Sequence, residues 1–197
     1  MNERTRTFLA VEARLSLENL ALCRQVCALL RDYIARKLPP PQVCVQFSGK
    51  GDQPILIGDN CGFFTTPIVL TALVDIRKFT SFLGFKAASG GQIDRRTREK
   101  GDYDISDLGL GYPDRDAFLA VLQPENVMPA ELEKALIASL TYANRVIAHF
   151  TQQTPNTEIF FNRIVLACFG IDRAMRTLIY APLGVAYPDL RIRENGA

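Results

Sequence analysis

The only histidine of the chain, His149, lies four residues after Arg145 in a segment with helical periodicity. Residues four apart lie on one face of a helix, about one turn from each other. We therefore expect the guanidinium of Arg145 and the imidazole of His149 to be neighbours. An imidazole with an unperturbed pKa of about 6.5 can act as a general acid or base near neutral pH. A base beside a permanent cation can hold or cleave a phosphodiester.

A second group of candidate binding residues is a basic run that consists of Arg95, Arg96, Arg98 and Lys100. The run lies in segment 85–112, whose lack of periodicity predicts a long flexible loop. Because Lys and Arg side chains bind phosphates, the run predicts a nucleic-acid-binding arm that becomes ordered on RNA or DNA. The alternative is a solvated loop, since nearby acidic residues largely cancel its charge.

Two cysteines, Cys23 and Cys27, have the four-residue spacing that can hold a metal ion on a helix. A zinc site needs three or four ligands, and no further ligands can be assembled from the sequence. No phosphate-binding loop or dinucleotide fingerprint occurs. The sequence therefore predicts no metal site and no cofactor, and it predicts that the five cysteines are reduced thiols that mostly pack as small apolar residues.

Helical periodicity is strong from about Ser16 to Leu38, with Ser16 as the predicted N-cap and a stop before the prolines at 39–41. An earlier start is the alternative, since Phe8–Leu15 is also helix-compatible. A second helix is predicted from Thr66 as N-cap and Pro67 at the first helical position, and it ends at Gly84.

Three further helices are predicted in the second half of the chain, at Asp114–Leu122, from Pro129 to about Phe150, and at Glu158–Tyr180. Between the first two helices, Val43–Phe47 and Ile55–Ile57 alternate as strands of a small hairpin do. The sequence thus predicts an all-α fold. It also predicts that residues 1–197 form a single domain, a bundle of four to five helices with a small β-hairpin insertion.

Composition is that of an ordinary globular protein, with 48% apolar and 22% charged residues in 197. The formal net charge of +2 does not by itself indicate a nucleic-acid partner. No secretory signal and no apolar run of 18 residues is present, so we expect a cytoplasmic protein without membrane contact.

The stretch Asn144-Arg145-Val146-Ile147-Ala148-His149 in the penultimate long helix of a bundle resembles the HEPN superfamily of helical-bundle proteins. This family belongs to bacterial defence, toxin and RNA-processing systems. Its active members carry an arginine and a histidine separated by four to six residues, often with an asparagine directly after the arginine. With four intervening residues, the family's arginine would fall at the position of Asn144. Arg145 is one residue closer to His149, which rotates it by about 100° around the helix.

The resemblance implies an interaction or regulatory module without catalysis, one that binds RNA or a partner protein in a defence or toxin-type system. The alternative that it implies is a metal-independent endoribonuclease in which His149 is the general acid or base. Arg145, supported by Asn144, would then stabilise the charge of the phosphate. In this family two protomers usually build one site, so a homodimer is implied in either case. A helical transcriptional regulator unrelated to this family remains a third hypothesis.

Overall fold

A computed structural model describes residues 1–35, 43–45, 56–58, 62–123, 127–148 and 157–190. Within these ranges the chain is mainly helical, as the sequence predicts. The helices are α1 (Glu3–Thr7), α2 (Arg14–Ala35), α3 (Gly62–Phe82), α4 (Arg115–Leu122), α5 (Pro129–Ala148) and α6 (Thr157–Met175).

Four long helices form a bundle in which α2 packs on α3, α3 on α5, α5 on α6, and α6 back on α2. The shorter α4 packs on α6. Each long helix turns an apolar stripe inward, because its apolar residues recur every three or four positions. The centre of the core is made by Leu17, Leu20, Leu73, Ile76, Leu132, Leu136, Ile164 and Ile171. The predicted all-α bundle is confirmed.

The N-terminal helix begins well before Ser16 and includes Phe8–Leu15, the stretch that the sequence also allows as helix. A π-helical segment, Phe8–Ala13, joins α1 to α2 without a break. Ser16 is therefore inside a helix and is not an N-cap, so that prediction was wrong. Its hydroxyl instead donates to Oδ1 of the buried Asp75 on α3 at 2.7 Å, and the amide of Asn19 donates to Oδ2 at 3.1 Å. A buried carboxylate requires such partners, and this requirement determines the role of Ser16.

A second π-helical segment, Arg176–Tyr180, extends α6. The Tyr180 hydroxyl donates a buried hydrogen bond to the Leu9 carbonyl at 3.0 Å. Burial raises the pKa of Tyr180 to about 12, so the hydroxyl keeps its proton at neutral pH. This bond joins the two π-helical segments across 171 positions of the chain.

The start of α3 also differs from the prediction, because the helix begins at Gly62 and contains Pro67. Thr66 is thus not its N-cap. The helix extends upstream of Pro67 by about one turn, which the local capping signal does not reveal. Its predicted end is confirmed: Gly84 follows α3 with a φ of 88°, in the left-handed region that glycine adopts without strain.

The predicted hairpin is confirmed: β1 (Val43–Val45) pairs antiparallel with β2 (Leu56–Gly58). A second antiparallel hairpin, β3 (Phe85–Ala87) with β4 (Ile93–Arg95), lies in the segment predicted to be a long loop. Its strands have three residues each, too few to show an alternating pattern. A 3₁₀-helix, Ile105–Leu108, follows and is capped by Asp104.

Segment 85–112 packs on the bundle through buried apolar residues. The Phe85 ring stacks on Phe118 of α4 with centroids 4.2 Å apart, and Ile93 and Ile105 are buried. Glu133 of α5 accepts hydrogen bonds from the Ile93 amide at 2.9 Å and from Arg115 at 2.7 Å. These contacts attach the second hairpin to α4 and α5.

In the described part of the chain, every helix is too short or too polar to cross a membrane.

Replacing Gly84 tests the close contact between the residue that follows α3 and the ring of Tyr112. A Cβ at Gly84 would lie 2.6 Å from Cδ1 of Tyr112, in addition to requiring a positive φ. We expect Gly84→Ala to lower the free energy of unfolding by about 2–4 kcal/mol. The matched control is Gly91→Ala, since Gly91 also has a positive φ but no neighbour within 4 Å. Gly91→Ala should lower the free energy of unfolding, measured by urea denaturation, by only about 1 kcal/mol. Equal losses would contradict the tight contact with Tyr112.

Candidate functional site

A cavity of about 460 Å³ lies where α3, β3, residues 96–99 and α5 meet, and we call it the cationic groove. Its polar lining comes from segments far apart in the chain. The polar residues of the lining are Arg77, Ser81, Lys86, Arg96, Thr97, Asn144 and the acidic Glu99.

The fold explains how each side chain reaches the groove. Arg77 and Ser81 are one turn apart on α3, while the neighbouring Ile76 and Thr80 are buried in the bundle. Lys86 is exposed between the inner residues of β3, and Asn144 is exposed on α5. The buried residues of α3, β3 and α5 fix these elements against the core. They therefore determine where the polar residues of the groove lie.

Within the described ranges, two of the three cations in the groove have no ion-pair partner. Arg77 and Lys86 form no ion pair with any described residue, whereas Arg96 pairs with Asp102. The backbone amide of Arg96 also donates to the Gly84 carbonyl at 2.9 Å, which continues the hairpin. The groove thus contains one guanidinium held in place and two cations free to bind an anion.

The other residues of the predicted nucleic-acid-binding run lie elsewhere. The Arg95 guanidinium lies over the Phe85 ring at 5.2 Å and over the Tyr112 ring at 5.0 Å. Lys100 is exposed in a turn, without an ion pair in the described structure. Of the predicted run, Arg96 is the residue that lines the groove.

Arg98 binds two carboxylates of its own chain. Its Nη2 donates to Asp107 at 2.9 Å and to the Asp102 carbonyl at 2.9 Å, and its Nε lies 3.4 Å from Oδ2 of Asp104. Asp104 is buried and also accepts hydrogen bonds from the Tyr112 hydroxyl at 2.6 Å and from Ser106. These contacts give Arg98 a role in folding segment 96–108.

The same contacts shift the acid titration of both carboxyls. Burial acts to raise the pKa of Asp104, but hydrogen bonds from Ser106 and Tyr112 and the charge of Arg98 outweigh burial and lower it. The backbone amide of Asp104 and the guanidinium of Arg98 lower the pKa of Asp107. Both groups remain ionised to lower pH in the folded protein than in the unfolded chain.

The described structure covers the predicted catalytic helix only in part. Asn144 lines the cationic groove, and Arg145 follows it in α5, where only its backbone is described. His149 lies outside the described residues. The structure therefore brings together Asn144 and Arg96, one residue from each of the two groups predicted from the sequence.

Arg77 and Lys86 were missed by the sequence analysis. Arg77 is followed by Lys78 in a helix rich in apolar residues, and this basic pair is the one local signal that could have indicated it. No local signal marks Lys86, because its position depends on a hairpin with strands too short to predict.

Cys23, Cys27 and Cys168 are buried in the core, as predicted for packing residues. The Sγ atoms of Cys23 and Cys27 are 3.8 Å apart. Hydrogen bonding among the three thiols and burial raise the pKa of Cys23 and Cys27, so both stay protonated. Across the described residues, no group of three or more His, Cys, Asp or Glu side chains is arranged to hold a metal ion.

No protein-family model, curated protein or solved structure matches the chain. A functional assignment therefore depends on the groove and on the sequence motif.

The lowered carboxyl pKa values predict how stability depends on pH. A carboxyl whose pKa is lower in the folded protein than in the unfolded chain stabilises the fold at pH values above its unfolded pKa of about 3.9. This stabilisation is lost as the pH falls through the pKa of the folded protein. We expect Asp104→Asn to be clearly less stable than wild type at pH 7, and the difference to shrink below about pH 4.

Urea denaturation of both proteins between pH 7 and pH 2.5 measures this difference. Asp116→Asn is the control, because the Asp116 side chain is 92% exposed and should change stability little at any pH. A difference for Asp104→Asn that stays constant with pH would contradict the role of its charge.

Proposed function

We propose that the protein is a non-catalytic, HEPN-like interaction module that binds single-stranded RNA by its phosphates in the cationic groove. The observation that carries this proposal is that Asn144, from the sequence motif, and three cations line one cavity. Among the described residues, Arg77 and Lys86 form no ion pair, and Glu99 is the carboxylate that shares the lining with them.

The lining has the donors that a phosphodiester requires. Arg77 and Lys86 supply charge, and Ser81, Thr97 and Asn144 supply neutral hydrogen-bond donors. Protein contacts to nucleic-acid backbones come mainly from such residue types. Arg96 adds a planar guanidinium, whose fork suits two phosphate oxygens. Its partner Asp102 restricts its motion before the ligand arrives.

The size of the groove favours a single strand over a duplex. Its volume is in the range of cavities that enclose ligands of small-molecule size. One or two linked phosphates of a flexible strand can enter it, whereas a rigid duplex is too wide. Because the formal net charge of the chain is only +2, the affinity would come from this local concentration of charge.

Removing the two free cations should weaken RNA binding. We expect the double variant Arg77→Gln, Lys86→Gln to bind a fluorescent single-stranded RNA about tenfold more weakly at 0.1 M salt. The slope of log K against log salt should fall by about 1.4, since each lost phosphate contact removes about 0.7. Fluorescence anisotropy at several salt concentrations measures both quantities.

The control is Lys134→Gln. It removes one charge that lies about 15 Å from the groove residue Asn144 along α5. Lys134 is exposed and pairs with Glu131, not with the groove. Its variant should bind RNA as wild type does. Equal weakening by both variants would show that RNA binding is not located in the groove.

A metal-independent endoribonuclease is the second candidate, and one observation favours it. Asn144 lines the groove, and Arg145 and His149 follow it within five residues of the chain. In that reaction His149 would act as general acid or base and Arg145 would stabilise negative charge on the phosphate. The resemblance also implies that two protomers complete such a site, so this candidate includes a homodimer.

His149→Ala separates the two candidates. For the non-catalytic module, neither wild type nor His149→Ala should cleave a mixed pool of structured RNA in the presence of a chelator, and both should bind it. Cleavage by wild type that is at least about 100-fold faster than by His149→Ala would instead establish the endoribonuclease, since that is the least a general acid or base contributes. Gel analysis of the RNA with time measures the rate.

A further inference from the structure

A second cavity, of about 420 Å³, lies between the π-helical segment Phe8–Ala13, α3 and residues 96–103. We call it the aromatic cavity. It is lined by apolar side chains that include Phe8, Val74, Phe79, Phe82 and Tyr103.

The aromatic cavity and the cationic groove share part of their lining. Arg77, Ser81 and Arg96 line both. An anion bound to Arg77 and Arg96 therefore lies beside an apolar space. This juxtaposition suits a ligand with a charged part and a flat apolar part joined by a short link.

The apolar part of the cavity is a packed aromatic wall. The rings of Phe8 and Phe82 stack with centroids 4.8 Å apart, and Tyr103 meets Phe8 edge-on at 5.3 Å. The guanidinium of Arg4 lies 4.3 Å from the Tyr103 ring centroid. Ordered rings of this kind bind another aromatic ring with little loss of side-chain entropy.

Two polar groups of the lining have no described partner. The Tyr103 hydroxyl is buried and has no hydrogen-bond partner among the described residues. The exposed carboxylate of Glu12 forms no ion pair in the described ranges. Buried polar atoms are normally satisfied, so an unsatisfied hydroxyl on a residue that lines a cavity points to a ligand with polar atoms of its own. A carboxylate can only accept hydrogen bonds, so the ligand should present donors.

We infer that the aromatic cavity binds the base of a nucleotide whose phosphate lies in the cationic groove. This inference rests on the proposed function for the position of the phosphate. The base packs against the aromatic wall, its amino group donates to Glu12, and a ring or carbonyl atom bonds with Tyr103. Adenine, cytosine and guanine carry such an amino group, whereas uracil does not.

The test compares RNA octamers that carry the same phosphates but different bases. Fluorescence anisotropy is measured with an all-cytosine octamer, an all-uracil octamer, and a cytosine octamer whose four central residues are abasic. We expect the abasic octamer to bind about tenfold more weakly than the cytosine octamer, as for the loss of one stacked base. The affinity for the uracil octamer should lie between the affinities for the other two.

Two conservative variants locate the effect in the cavity. Tyr103→Phe keeps the ring packing and removes only the hydroxyl, and Glu12→Gln keeps the shape and removes the charge. Each should reduce the preference for cytosine over uracil and leave the salt dependence unchanged. Thermal unfolding confirms that both variants fold.

The outcomes separate this inference from the proposed function. Equal binding of abasic and cytosine octamers, with weaker binding by Arg77→Gln, overturns the base pocket and leaves RNA binding in place. Binding of cytidine monophosphate by calorimetry without binding of any octamer supports the pocket for a free nucleotide and overturns the RNA-binding function. Failure to bind either probe overturns both.

Discussion

The carboxylates of Asp104 and Asp107 hold segment 96–108 in its folded form, and the candidate site depends on them. Arg98, Tyr112 and the backbone amides of the short 3₁₀-helix all donate to this pair. These bonds act together with the ion pair of Arg96 with Asp102 and with the buried side chains of Ile105 and Leu108. A cluster of charges in the middle of the chain thus supplements the hydrophobic core in holding this segment against the bundle.

Helix α3 links the hydrophobic core to both cavities. Its buried residues fix the helix against α2 and α5, and the residues between them, Arg77 and Ser81, line the aromatic cavity and the cationic groove. The buried Asp75, bonded to Ser16, fixes the rotation of α3 relative to α2. Small changes in that rotation would therefore move the walls of both cavities together.

Much of the bundle could be predicted from the sequence, because helix periodicity and end signals are local. The starts of α4 and α5 and the glycine after α3 follow from Asp114, Pro129 and Gly84 alone. The prediction of Ser16 as an N-cap was wrong, because the partner of its hydroxyl, Asp75, lies 59 positions away and no local pattern reveals it.

The candidate site was predictable only in part. Asn144 and Arg96 belonged to groups visible in the sequence, yet only the tertiary fold brings them to one cavity. Arg98 has the composition of a phosphate-binding residue, but its nearest anions are carboxylates of its own chain. Sequence reveals which side chains carry charge, whereas the three-dimensional neighbours decide whether that charge is available to a ligand.

The hydrogen bond from Tyr180 to the Leu9 carbonyl has a consequence for the order of folding. It joins two residues that are 171 positions apart. Contacts between residues so distant in the chain carry a large loop-closure entropy. We therefore expect the π-helical wall of the aromatic cavity, which includes Phe8 and Glu12, to gain this anchor only after the local helices have formed.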